Sequence, residues 1–224
     1  MKTLNDLKQE PRWAVAKVVP PRKEGQHPGK ITVDPQLLLN EGKMRNLKST
    51  EATGWTDYQT ASKALTAANN ALQEGKITGV IKFTFSLRIT PPLVFIDVDD
   101  IPDPEASAQF KDLTKLTKGG YCEVSQSGNG LHYLVEGKLD KAHKGKNELY
   151  TDGRYVAFTG NQVSQSDSIP ALTESEIKAI VSYCGFKWTG DDKEQAKEPL
   201  LVTTPQPTNG RHWGADNGLT AACR

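Results

Sequence analysis

Two aspartates spaced two apart, Asp97 and Asp99, close the run Leu93-Val94-Phe95-Ile96-Asp97-Val98-Asp99-Asp100. Four apolar residues leading straight into acids read as a buried strand with both carboxylates at its carboxyl end. Side chains alternate faces along a strand, so Asp97 and Asp99 share one face, about 7 Å apart at the backbone. Neighbouring carboxylates repel unless neutralised, and a divalent cation with phosphate oxygens in its remaining positions would neutralise them. The same residues would equally suit a strand end running into an acidic, solvated turn, because Pro102, Asp103 and Pro104 follow.

A second feature is Ser125-Gln126-Ser127-Gly128-Asn129-Gly130, whose hydroxyls and backbone amides could cradle phosphate, with His132 just beyond it. A histidine after such a turn can donate to a triphosphate oxygen. Alone in a half-buried strand it is more often a packed, satisfied side chain. A third feature, Asn147 through Tyr155, offers the carboxylate of Glu148 on an expected strand and Arg154 after a turn. It would also serve as a plain connection between two strands.

The chain of 224 residues is long enough for one sizeable domain, or one domain and an appendage. Its net charge is only +1, so any grip on nucleic acid must come from a local basic surface. Two loops are basic: Lys43, Arg45 and Lys48 in one, and Lys138, Lys141, His143, Lys144 and Lys146 in the other. Either could follow a phosphate backbone, though an exposed lysine run is usually a solvated face. Cys122, Cys184 and Cys223 are odd in number and form no C-x-x-C pair, which argues for a reducing compartment and against a thiolate zinc site. No segment has the apolar length of a signal core or a membrane span, so a cytoplasmic setting is expected.

The elements that must position these residues follow from pattern. Arg12 to Val19 reads as a first strand, followed by a long loop region from Arg22 to Thr53. Thr56 and Gln59 form an expected capping box for a helix with Tyr58, Ala61, Leu65, Ala68 and Leu72 on one face. A strand is expected over Gly79–Phe85, and a helix starting at Asp103-Pro104 with Phe110, Leu113 and Leu116 on its core face. Strands are expected at Tyr121–Ser125 and Leu131–Glu136 around an Asn-Gly turn, and another at Tyr155–Thr159. Thr173 with Glu176 caps a last helix that stops at Gly185. Trp13, Trp55, Tyr133 and Tyr155 are expected in the core.

Taken in order, Phe95-Ile96-Asp97-Val98-Asp99, then Ser125 through His132, then Glu148 through Tyr155 with Phe158-Thr159-Gly160, resemble the archaeo-eukaryotic primase superfamily. More closely, they resemble the primase-polymerase domain of phage and plasmid replication proteins. The shared pattern is D-x-D, S-x-S-G-x-G-x-H, and a third acid ahead of G-R-Y and T-G. Gly29-Lys30, Asp34-Pro35 and Trp55 fit the amino-terminal pattern more loosely; the family often has proline soon after Gly-Lys, where this chain reads Ile31-Thr32-Val33.

The resemblance implies an α+β fold, with an RNA-recognition-motif-like catalytic sheet over about 91–186 fused to a smaller amino-terminal α/β part over about 1–90. It implies that Asp97, Asp99 and Glu148 hold two Mg2+ or Mn2+ ions. Ser125, Ser127, His132, Arg154 and Lys30 would then bind an incoming NTP or dNTP over a single-stranded DNA template. Residues 187–208 read as a linker, and 209–224 resemble the opening of the helical region that follows such domains. A helicase module in the same or another chain, in bacteria or a phage-infected host cell, is the implied setting; a short protein ending in a frayed tail reads equally well. Primer synthesis with DNA extension is the leading expectation. A metal-dependent nuclease or phosphodiesterase could use the same carboxylates, and a non-catalytic single-strand-binding replication-initiator module is the third reading.

Overall fold

A computed structural model describes residues 1–139 and 147–185. In chain order the elements are β1 (Lys2–Thr3), α1 (Leu4–Gln9), β2 (Trp13–Val19), β3 (Gly29–Val33), α2 (Pro35–Glu41), α3 (Tyr58–Gln73), β4 (Lys82–Ile89) and β5 (Leu93–Asp99). A short 3-10 turn at Pro104–Ala106 then leads to α4 (Ala108–Leu116), β6 (Cys122–Val124), β7 (Gly130–Glu136), β8 (Glu148–Tyr150), β9 (Arg154–Phe158), β10 (Ser168–Ile169) and α5 (Glu174–Tyr183). The fold is α+β, as expected, and every strand pairing is antiparallel.

Two four-stranded sheets carry the architecture, β3-β2-β4-β9 and β6-β7-β5-β8, and β1 pairs with β10. In the second sheet the four strands lie in the order fourth, first, third, second, with the acidic strand β5 in the interior. One face of this sheet, bearing Val94, Ile96, Val98, Leu131, Tyr133, Val135 and Leu149, is sealed by Leu113 of α4 and by Ile177, Ile180 and Val181 of α5. The opposite face turns Leu93, Phe95, Leu134 and Tyr150 onto Trp13, Leu87, Ile89, Val156 and Phe158 of the first sheet. Period-two alternation explains both faces: on β5 the odd-numbered positions point to the first sheet and the even-numbered ones to the helices. Asp97 and Asp99 therefore continue the face begun by Leu93 and Phe95, where the apolar contact between sheets gives way to a cleft.

Several local expectations are corrected. The segment 22–53 is not a continuous loop, since it contains β3 and α2. Helix α2 has an Asp34 cap accepting from Gln36 and Leu37 N–H, Pro35 in its first turn, and Gly42 in the left-handed conformation at its end. Helix α3 is capped by Asp57, which accepts from Thr60 N–H, and not by Thr56. Thr56 is drawn away because its backbone exchanges two hydrogen bonds with Trp13 (2.8 and 2.9 Å). Asp103 has φ +50° and makes no cap hydrogen bond; Ser107 caps α4 instead, accepting from Phe110 N–H at 3.0 Å. The strand expected at Gly79–Phe85 begins later, at Lys82. At the hairpin between β6 and β7 the left-handed residue is Gly128, not the Asn-Gly pair, and Ser125 N–H closes the loop onto Gly130 carbonyl at 2.8 Å. The capping box of α5, Thr173 with Glu176, forms as expected.

Strand β9 joins the first sheet, where Phe158 faces Phe85 and Arg154 faces Ile89. The first sheet is thus built from residues 13–89 together with a strand that follows the last motif of the second. Residues 187–208 and 209–224 lie outside the described residues. Among the described residues no helix is long and apolar enough to cross a membrane.

Candidate active site

Strand register assembles the site. Asp97 on β5 stands directly opposite His132 on β7 and directly opposite Glu148 on β8. His132 in turn stands opposite Glu123 on the outer strand β6. Four polar side chains from four strands therefore form one row across the sheet, Glu123, His132, Asp97 and Glu148. Directly opposed residues on one face lie within about 5 Å at Cβ, close enough for their charges to couple.

A cleft of about 280 Å³ opens over this row and is lined by Lys30, Ser49, Phe95, Asp97, His132, Glu148, Tyr150, Arg154, Tyr155, Val156 and Ala157. Of the residues singled out in the sequence, it brings together Asp97, His132, Glu148, Lys30 and Arg154. Ser125, Ser127 and Asp99 are not among its lining residues and cluster just beyond, at the hairpin. Ser125 Oγ and Ser127 Oγ are 3.0 Å apart, and Ser127 Oγ accepts from Asn129 N–H at 3.3 Å. A Cβ on Gly130 would fall 2.9 Å from Ser125 Oγ, 3.2 Å from Asp99 Oδ1 and 2.8 Å from Val98 carbonyl. Only glycine lets the serine turn approach the second aspartate so closely.

Burial raises the carboxyl pKa of Asp97 to about 6, with the repulsion of Asp99 and Glu148 adding to it and His132 and Lys30 opposing it. Asp99 is raised too, again chiefly by burial, with Asp100 and Glu148 adding and His132 and Lys30 opposing. Lys30, although exposed on its strand, has its ammonium pKa lowered by desolvation, which attraction to Asp97 and Asp99 partly offsets. His132 Nε2 lies 3.5 Å from Asp97 Oδ1, close to it but without hydrogen-bond geometry. Asp97 Oδ1 is consequently buried without any hydrogen-bond partner.

An orphaned, buried carboxylate oxygen facing two further acids is a donor set that suits a hard divalent cation. Among the described residues no three His, Cys, Asp or Glu side chains are already gathered tightly as a metal cluster.

Arg154 lies with its guanidinium carbon 5.5 Å from the ring centre of Tyr150, a cation–π contact that holds it over the cleft wall. The basic loop of Lys43, Arg45 and Lys48 is largely self-neutralised, since these residues pair with Glu41, Asp34 and Glu51. Ser49, next in that loop, donates to Gly153 carbonyl at 2.7 Å, and its own carbonyl accepts from Arg88 Nε at 2.7 Å, tying the loop to the turn before Arg154. Lys141, His143, Lys144 and Lys146 of the second basic loop lie outside the described residues. Trp13 and Tyr133 are fully buried and Trp55 is 6% exposed, whereas Tyr155 lines the cleft.

Sequence reasoning missed Glu123, Ser49, Phe95 and Tyr150. Phe95 and Tyr150 sit two positions from Asp97 and Glu148, so strand alternation could have found both. Glu123 is flanked by apolar Cys122 and Val124 in a short strand, a pattern that ordinarily turns the acid to solvent; here it is 1% exposed.

No protein-family model matches the chain. The chain is 30% identical, over 149 residues and 62% of its length, to a protein named DNA Primase-polymerase from Nitratiruptor phage NrS-1. It spans 19% of that relative's length. The similarity supports a primase-polymerase domain in this chain, in agreement with the resemblance carried by its motifs.

Proposed function

We propose that this chain carries out template-directed nucleotidyl transfer from NTP or dNTP on single-stranded DNA, in phage or plasmid replication. The observation that carries the reading is the register of Asp97, flanked in one row by His132 and Glu148 beneath a cleft that also holds Lys30 and Arg154. The reaction is an in-line displacement: a primer 3′ hydroxyl oxygen, or that of the first nucleotide, bonds to the α-phosphorus and pyrophosphate leaves. Asp97, Asp99 and Glu148 would hold Mg2+ or Mn2+. Bound there, the cations supply charge neutralisation for the attacking and leaving oxygens.

The chain's own groups account for the rest. Ser125, Ser127 and the amides of their turn offer donors to phosphate, His132 Nε2 faces the same space, and the cations Lys30 and Arg154 supply positive charge to a triphosphate. Phe95 and Val156 wall part of the cleft with apolar surface and limit water access. Asp97, with its carboxyl pKa raised to about 6 by burial, is largely ionised at neutral pH and so could ligate a cation there. A single-stranded template and a helicase module, in the same or another chain, are the proposed partners.

The test is incubation with single-stranded template, labelled nucleotides and Mg2+ or Mn2+. The reading expects new product that Asp97→Ala and Asp99→Ala abolish. Shortening of the template would support the nuclease reading instead, and a mobility shift without product a binding module.

A further inference from the structure

One buried anion has no part in the chemistry above. Glu123 accepts four hydrogen bonds: from Tyr121 Oη (2.8 Å), His132 Nδ1 (2.9 Å), Thr159 N–H (3.0 Å) and Gly160 N–H (2.8 Å). Its two oxygens divide the work, Oε1 taking His132 and Thr159 while Oε2 takes Tyr121 and Gly160. With 1% exposure this is a carboxylate removed from water and fully satisfied by the protein, which burial of a charge requires.

We propose that Glu123 is the positioning residue for His132, fixing which ring nitrogen is presented to the triphosphate; the proposal rests on the nucleotidyl-transfer reading. A ring nitrogen 2.9 Å from a carboxylate oxygen must carry a proton, because two lone pairs would repel. Nδ1 therefore carries a proton and faces away from the cleft, which leaves Nε2 as the nitrogen turned toward Asp97 and the incoming phosphate oxygens. The ring is further fixed by Phe95, whose centroid is 4.9 Å from that of His132. Because Oε1 also holds Thr159 N–H, the position of the histidine is coupled to the Thr-Gly turn after β9, the strand that carries Arg154 into the same cleft. This links the third segment of the motif pattern to the second through one carboxylate.

An anchor serving only the turn would need the two backbone N–H groups and no imidazole. The distinction is measurable on the ring itself. The chain has four histidines, and His132→Ala identifies the signal of this one in side-chain 15N–1H NMR spectra of the full chain. The wild type is expected to show a protonated, slowly exchanging Nδ1. Glu123→Gln is expected to lose that signature and to raise KM for nucleotide about 10- to 100-fold while kcat moves far less.

A wild-type ring protonated on Nε2 with Nδ1 bare would overturn the proposal, whatever the variant does. So would Glu123→Gln that keeps both the Nδ1 signature and the wild-type KM. If the wild type transfers no nucleotide, the functional reading fails, yet the ring signals of wild type and Glu123→Gln still decide whether Glu123 positions His132.

Discussion

Asp97 and Glu148 are directly paired across β5 and β8, so two carboxylates far apart in sequence face each other on one side of a sheet. The lysine and arginine of the cleft come from the other sheet, on β3 and β9. Together with burial, this arrangement raises the carboxyl pKa of Asp97 and costs stability in the metal-free protein, a pattern typical of sites built for a ligand.

The pH dependence follows with a definite sign. Asp97 has its folded-state pKa raised from the ordinary 3.8 to about 6, so the folded state binds the proton more tightly than the unfolded chain. Its contribution is therefore most favourable below about pH 4 and is lost as pH rises through about 6. Asp97→Asn should make the metal-free protein more stable at pH 7.5, by on the order of 2 kcal/mol, and leave it nearly unchanged at pH 4. Urea denaturation in the presence of a chelator, at both pH values, measures this.

Cation binding should reverse that cost. Mn2+ is expected to raise the unfolding temperature of the wild type in a concentration-dependent way, because it binds the folded state alone. Asp97→Asn and Asp99→Asn should each abolish most of the rise. Thermal unfolding across a Mn2+ titration at pH 7.5 checks it.

Lys30 and Arg154 reach the cleft from the sheet opposite the acids, where they face the proposed triphosphate. Replacing either with alanine removes a charge-assisted contact, so nucleotide KM should rise about 10-fold or more, with little loss of fold stability. Steady-state kinetics with nucleotide as the varied substrate reads the effect. An unchanged KM in both variants would remove these cations from the site.

Gly130 is held by close approach: an added Cβ would meet backbone and side-chain atoms at 2.8 to 3.2 Å. Gly130→Ala should destabilise the protein by about 1–3 kcal/mol and separate Ser125 from Asp99. Urea denaturation gives the first quantity, and the drop in kcat/KM beyond that of a stability-matched core variant gives the second.

The sequence carried the acidic strand, the histidine strand and the third acid because each is a period-two pattern with a chemical end. Their convergence depended on register, which no local pattern encodes: Asp97 meets Glu148 only because β8 pairs with β5 and not with its neighbour in sequence, β9. That strand was legible as a strand, but its membership of the first sheet was not. Helix α2 went unread although Asp34, Pro35 and Gly42 mark its ends, because its seven residues are too few to establish a helical period. Glu123 was invisible for a further reason. Its burial is compensated by donors from four separate positions, two of them backbone N–H groups after β9, and compensation of that kind exists only in three dimensions.

The central claim is that Asp97, Asp99 and Glu148 converge on divalent cations facing a bound nucleoside triphosphate. Its most direct test is a crystal of the full chain grown with Mn2+ and a non-hydrolysable nucleotide, with the manganese located by anomalous scattering. The account predicts manganese coordinated by Asp97, Asp99 and Glu148, with phosphate oxygens toward His132 and the serine turn. Manganese bound elsewhere, or a triphosphate seated away from the Asp97 row, would contradict it.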